Sequence, residues 1–106
     1  MDVEDFLQYL SKVEKKGLVP TSHFLLNHEK RKKHMPALDE IYDLILNTKL
    51  VGILKQDEGK FKIFYRNNNK YDLIIIMAVK RTNPDLVINL VTCHIQEIKK
   101  RLRKDD

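Results

Sequence analysis

The chain has 106 residues, 42% hydrophobic and 33% charged, with one Cys and a net charge of +5. That length bounds it to one domain with a modest core, and the composition excludes a disordered or fibrous chain. Cys93 alone excludes an internal disulfide and fits a reducing, cytoplasmic setting. No signal peptide is expected, and the longest apolar run, Leu73–Val79, is too short for a bilayer.

The charge is unevenly spread. His28–His34 holds four Lys/Arg against Glu29, a net of +3, and Lys99–Lys104 carries +5, while the rest of the chain is net negative. Local basicity of this kind suits phosphate-rich partners, although a solvated helix face produces the same run.

In chain order, Phe6, Leu7, Leu10 and Val13 recur at helical spacing behind Asp2, Glu4 and Asp5, which predicts a helix over Val3–Lys16 stopped by Gly17. Thr21 or Ser22 caps a second helix that runs to about Lys33 and is stopped by Pro36. Pro36 opens a third helix, with Leu38, Ile41, Tyr42 and Ile45 as its stripe, ending near Asn47. The period then changes to two. Strands are expected over Leu50–Gln56, Lys60–Arg66, Tyr71–Lys80 and Leu86–Cys93, with turns at Asp57–Gly59, Asn67–Lys70 and Thr82–Asp85. Tyr71–Lys80 is almost wholly apolar and reads as a central strand buried on both faces. Ile95, Ile98 and Leu102 give a last helix, with Glu97 and Arg101 as a supporting pair. The expected fold is α+β: N-terminal helices packed on a four-stranded antiparallel sheet, with a C-terminal helix.

Three places could carry chemistry. On the second helix, His23, Asn27, Arg31 and His34 share one face beside Lys30, offering two imidazoles, an amide and a guanidinium. The plain alternative is a wet surface. In the second strand, Phe61, Ile63 and Tyr65 look inward, while Lys60, Lys62, Phe64 and Arg66 form a basic row with one aromatic. Such a row suits backbone phosphates and a stacked base, or simply guards an edge. In the last strand, Thr92 and His94 share parity with Leu86, Ile88 and Leu90, and Cys93 with Val87, Asn89 and Val91. Cys93 reads as a small buried hydrophobe and His94 as the start or cap of the last helix. Neighbours on a strand face opposite ways, so a Cys–His nucleophile pair is poorly placed. The four His and one Cys match no zinc spacing, and no glycine loop could cradle phosphate, so no metal or cofactor is expected.

Ser22-His23, Arg31, Leu38–Ile45, Lys60–Tyr65 and Leu90-Val91-Thr92, in that order, resemble the RelE-like toxin ribonucleases within the barnase–EndoU–colicin–RelE fold. The resemblance spans about Thr21 to Lys104, making residues 19–104 a RelE-like core and residues 1–18 a helical extension. It implies metal-independent RNA cleavage by 2′-hydroxyl attack, giving a 2′,3′-cyclic phosphate and a 5′-hydroxyl. By resemblance His23 would be acid or base and Arg31 the phosphate clamp. Lys60, Lys62 or Arg66 would hold charge or backbone, with Thr92 or His94 completing the set. The implied partners are tRNA or mRNA and an acidic antitoxin segment, with no membrane, and a homodimer is compatible with the first helix swapping between chains. A nucleic-acid-binding protein without turnover, using the same basic faces, is the competing expectation, and a protein-interaction module is a third.

Overall fold

The structure is a computed structural model that describes residues 1–81 and 86–103. Its elements are α1 (Val3–Lys12), a 3₁₀ turn (Lys15–Gly17), β1 (Leu18–Pro20), α2 (Ser22–Lys30), α3 (Leu38–Asn47), β2 (Gly52–Asp57), β3 (Lys60–Arg66), β4 (Tyr71–Arg81), β5 (Leu86–Glu97) and α4 (Ile98–Arg103).

The α+β class stands, but the sheet has five strands and is mixed, in the order β1-β5-β4-β3-β2. The expected four-stranded antiparallel sheet is corrected by β1, which pairs in parallel with β5, Leu18 opposite Ile88 and Pro20 opposite Leu90. Three residues ending in proline show no alternation, so the strand left no periodic signal. What makes it is burial: Leu18 enters the core beside β5. The first helix accordingly stops at Lys12, where extended Val13 turns the chain toward the 3₁₀ turn. At its start, Asp2 accepts from the Asp5 N–H and Asp5 accepts from the Asp2 N–H, a reciprocal cap.

Thr21 caps α2, its hydroxyl accepting from the Phe24 N–H at 3.1 Å. The helix ends at Lys30, three residues earlier than expected, and Pro36 lies before α3 rather than in its first turn. The hairpin β2–β3 turns at Gly59, whose φ of 70° suits glycine. At the next turn Asn68 Oδ1 accepts from the N–H groups of Lys70 and Tyr71. The expected turn at Thr82–Asp85 lies outside the described residues.

One face of the sheet carries the core. Phe61, Ile63 and Tyr65 of β3, Leu73, Ile75 and Met77 of β4, and Ile88, Leu90 and Cys93 of β5 meet Phe6, Phe24, Ile41 and Ile45 of the helices. The Phe6 ring stacks on Phe61 with centroids 4.3 Å apart, so α1 is built into this core. β4 occupies the centre of the sheet, and Asp72–Met77 are buried in unbroken succession, as a strand covered on both faces requires. No helix among the described residues is long and apolar enough to cross a membrane.

Candidate nucleic-acid interface

The second face of the sheet is where the candidate groups gather, and a β-bulge decides which. Ile76 pairs with Thr92 and Met77 with Leu90, so Val91 is an extra residue in β5. The bulge reverses the parity of everything after it. Leu90, Cys93 and Ile95 therefore face the core, while Thr92, His94 and Gln96 face the other way. The expected grouping of Thr92 and His94 with Ile88 and Leu90 is corrected. His94 is also a strand residue, since β5 continues to Glu97, and not a helix start.

Across that face the ladder runs Thr92–Ile76–Lys62 in one row and His94–Ile74–Phe64 in the next. The basic row on β3 thus lies two strands from His94. Arg31 reaches the same place from the end of α2. This helix lies along β5 where β1 leaves off, held by the Thr21 N–H to the Leu90 carbonyl (2.9 Å) and the Thr21 hydroxyl to the Val91 carbonyl (3.2 Å). Arg31 Nη1 then donates to the Cys93 carbonyl at 2.7 Å, satisfying an acceptor on the strand edge that β1 leaves uncovered.

The electrostatics follow from this placement. Burial, and then the charges of Lys62 and Arg31, hold the half-buried His94 below its ordinary pKa. That shift favours the neutral imidazole, with two permanent cations nearby. Burial pushes the Cys93 thiol up to about 11 against the opposing pull of Arg31. A protonated thiol on the core face is no nucleophile.

The other sequence candidates fall elsewhere. His23 is exposed, its Nε2 3.1 Å from Asn27 Nδ2. It stands eight residues before Arg31, about 12 Å along a helix axis. Its partner is Asn27 on its own helix, while Arg31, at the C-cap, turns to β5. Lys30 and His34 are exposed. His28, by contrast, is structural, its Nε2 2.8 Å from the Pro36 carbonyl oxygen. Lys60 and Arg66 flank the basic row at its two ends, and Arg66 donates to the Asn68 carbonyl. Phe64 is only 2% exposed, so as it stands it offers no platform to a base. Lys62 Nζ lies 5.4 Å from its ring centroid.

Asp72 escaped the sequence reading. It is wholly buried and takes the Arg101 guanidinium, Nε to Oδ2, at 2.6 Å. The expected Glu97–Arg101 pair does not form, and Glu97 meets Lys99 instead. The available signal was a lone carboxylate inside the apolar run Tyr71–Met77. A cavity of about 660 Å³ lies on the opposite side, between α1 and the far halves of β4 and β5, lined by Tyr9, Lys12, Val79 and Val87 among others. It is lined by none of the candidate residues. Among the described residues no three His, Cys, Asp or Glu side chains converge.

A family model described as the MJ0788 family matches residues 4–77. The chain is similar to the uncharacterized protein MJ0788 of Methanocaldococcus jannaschii, 39% identical over 61 residues that make up 58% of this chain and 77% of that protein. No solved structure matches. The family stretch runs from α1 into β4, so it takes in His23, Arg31 and Lys62 and stops before Thr92 and His94.

Proposed function

The chain belongs to the MJ0788 family, and on that premise we propose that it binds RNA along the second face of its sheet and cleaves it at His94 without a metal. The observation that carries this reading is a half-buried imidazole on the same sheet face as Lys62 and beside Arg31 on the Cys93 carbonyl, where burial and then those two charges lower its pKa. A neutral imidazole can take the 2′-hydroxyl proton. The O2′–P bond then forms and the P–O5′ bond breaks, while Arg31 and Lys62 offset the charge on the phosphorane oxygens. The leaving 5′-oxygen takes its proton from water, and His94 returns its own to solvent. Thr92, two residues away on the same face, supplies a hydroxyl to orient the phosphate. His23 is too far along α2 to serve the same phosphodiester as Arg31, and it is assigned with Asn27 to a neighbouring stretch of RNA backbone.

Binding without turnover is the second reading. It is favoured by one observation, that no second imidazole joins His94 to act as the acid. The two readings part on one experiment: purified protein and its His94→Gln and His23→Gln variants incubated with RNA in EDTA and run on a denaturing gel. Discrete fragments lost with His94→Gln and kept with His23→Gln support cleavage at His94. Intact RNA together with a salt-sensitive shift on a native gel supports binding alone. Intact RNA and no shift would remove both readings.

A further inference from the structure

The Phe64 ring is the one aromatic in the basic row of β3, and it is buried beside Ile74 and Asp72 on a sheet face whose Thr92, His94 and Gln96 stay partly open. Arg101 of α4 reaches the same neighbourhood, beside Gly52. A Cβ added at Gly52, directly across from Phe64 in the ladder, would stand 3.2 Å from the ring and 3.5 Å from Arg101 Cδ. Glycine at this point is what lets the arginine stem and the ring share one space. The arginine head is held by buried Asp72.

That closed arrangement is imperfect. Asp72 Oδ1 and the Gln96 side-chain nitrogen are both buried without a hydrogen-bond partner, on residues that face each other across β4 and β5. Buried polar groups left unsatisfied work against the state that buries them, and a buried ion pair gains little over its own desolvation. Lifting α4 would lose one ion pair and return two orphaned groups to water. α4 itself is only six residues long, and Lys99 and Lys100 on it are exposed.

We propose that α4 is a latch: a short basic helix fastened by Arg101 to Asp72 over Phe64, which single-stranded RNA displaces by drawing the cations of α4 onto its phosphates and stacking a base on the uncovered ring. The inference rests on the RNA-binding reading above. Aromatic stacking of this kind is tolerant of sequence and needs an unpaired strand. The open state exists before RNA arrives, and RNA shifts the balance toward it.

The test uses a fluorescein-labelled oligouridylate as probe, with the full chain and its Arg101→Gln and Asp72→Asn variants. If the open state is populated at about 10% or less, unfastening the latch tightens binding by about ten-fold or more. In wild type, adding the probe should also speed hydrogen exchange at the amides of α4 while β3 and β4 stay protected. Asp72→Asn unfastens the latch while keeping every cation of α4, and the exchange measurement in wild type needs no variant at all. Binding that is equal or weaker in folded Asp72→Asn, or exchange at α4 that the probe leaves unchanged, overturns the latch and leaves the RNA reading standing. Failure of wild type and variants alike to bind the probe overturns both.

Discussion

At the scale of single residues, His94 shows how a fold changes what a side chain can do. Its position at the end of an apolar strand was visible in the sequence, but its facing was not, because one extra residue at Val91 reverses the alternation on which facing is read. His23 shows the converse. Its helical spacing to Asn27 and Arg31 was legible, yet spacing says nothing of what lies opposite, and only Arg31 reaches β5. The depressed pKa of His94 gives a directional prediction. Lys62→Gln removes one of the two charges behind the shift and should move the His94 titration upward, toward the ordinary value of about 6.5. An NMR titration of the imidazole Cε1 proton reads this directly, and an unmoved curve would assign the whole shift to burial and Arg31. The same shift has a consequence for stability. A histidine whose folded pKa is lowered binds fewer protons folded than unfolded, so its contribution is complete above about pH 6.5 and is lost as pH falls through the folded value. Urea midpoints should therefore fall more steeply with acidification in wild type than in His94→Gln.

At the scale of elements, periodicity found the helices and the four long strands because each buries a stripe or a face. β3 was legible residue by residue, since the alternation of Phe61, Ile63 and Tyr65 against Lys60, Lys62, Phe64 and Arg66 is the alternation the sheet uses. β1 was not, because three residues cannot display a period. The fate of Arg101 was hidden for another reason. Its partner Asp72 is distant in sequence, and a local rule naturally assigned it to Glu97. α1 carries the element-scale prediction. Its Phe6 is fully buried against Phe61, so Phe6→Ala should cost about 3–5 kcal/mol through lost transfer energy and a cavity. In a domain of this size that lowers the thermal midpoint by roughly 12 °C or more. A loss within 3 °C (roughly 0.5 kcal/mol by the same scaling) would mean that α1 is a detachable extension and that the core closes without it.

At the scale of the whole molecule, the net charge of +5 matters less than where the fold collects it. The run His28–His34 looked like one basic block in the sequence. The structure divides it: Arg31 turns to β5, while Lys32 pairs with Glu29 at 3.0 Å. Besides Arg101 and the other cations of α4, the groups that share the second face or its margin are Arg31, Lys60, Lys62 and Arg66, contributed by β3 and the end of α2. All four lie within the stretch matched by the family model, whereas Thr92 and His94 lie beyond it. If the proposed reading holds, these four cations would attract phosphate from within the family stretch, whereas cleavage at His94 would need β5 as well. The two should come apart in measurement. Four phosphate contacts to a single strand give log K a slope of about −3 against log salt concentration. Arg31→Gln should weaken binding and lower that slope by roughly 0.7, the share of one phosphate. His94→Gln should leave both affinity and slope near wild type while removing any turnover. Fluorescence anisotropy across a salt series measures all three proteins side by side. A slope near zero in wild type would mean that the cations on this face meet no phosphate, and the RNA reading would fall with it.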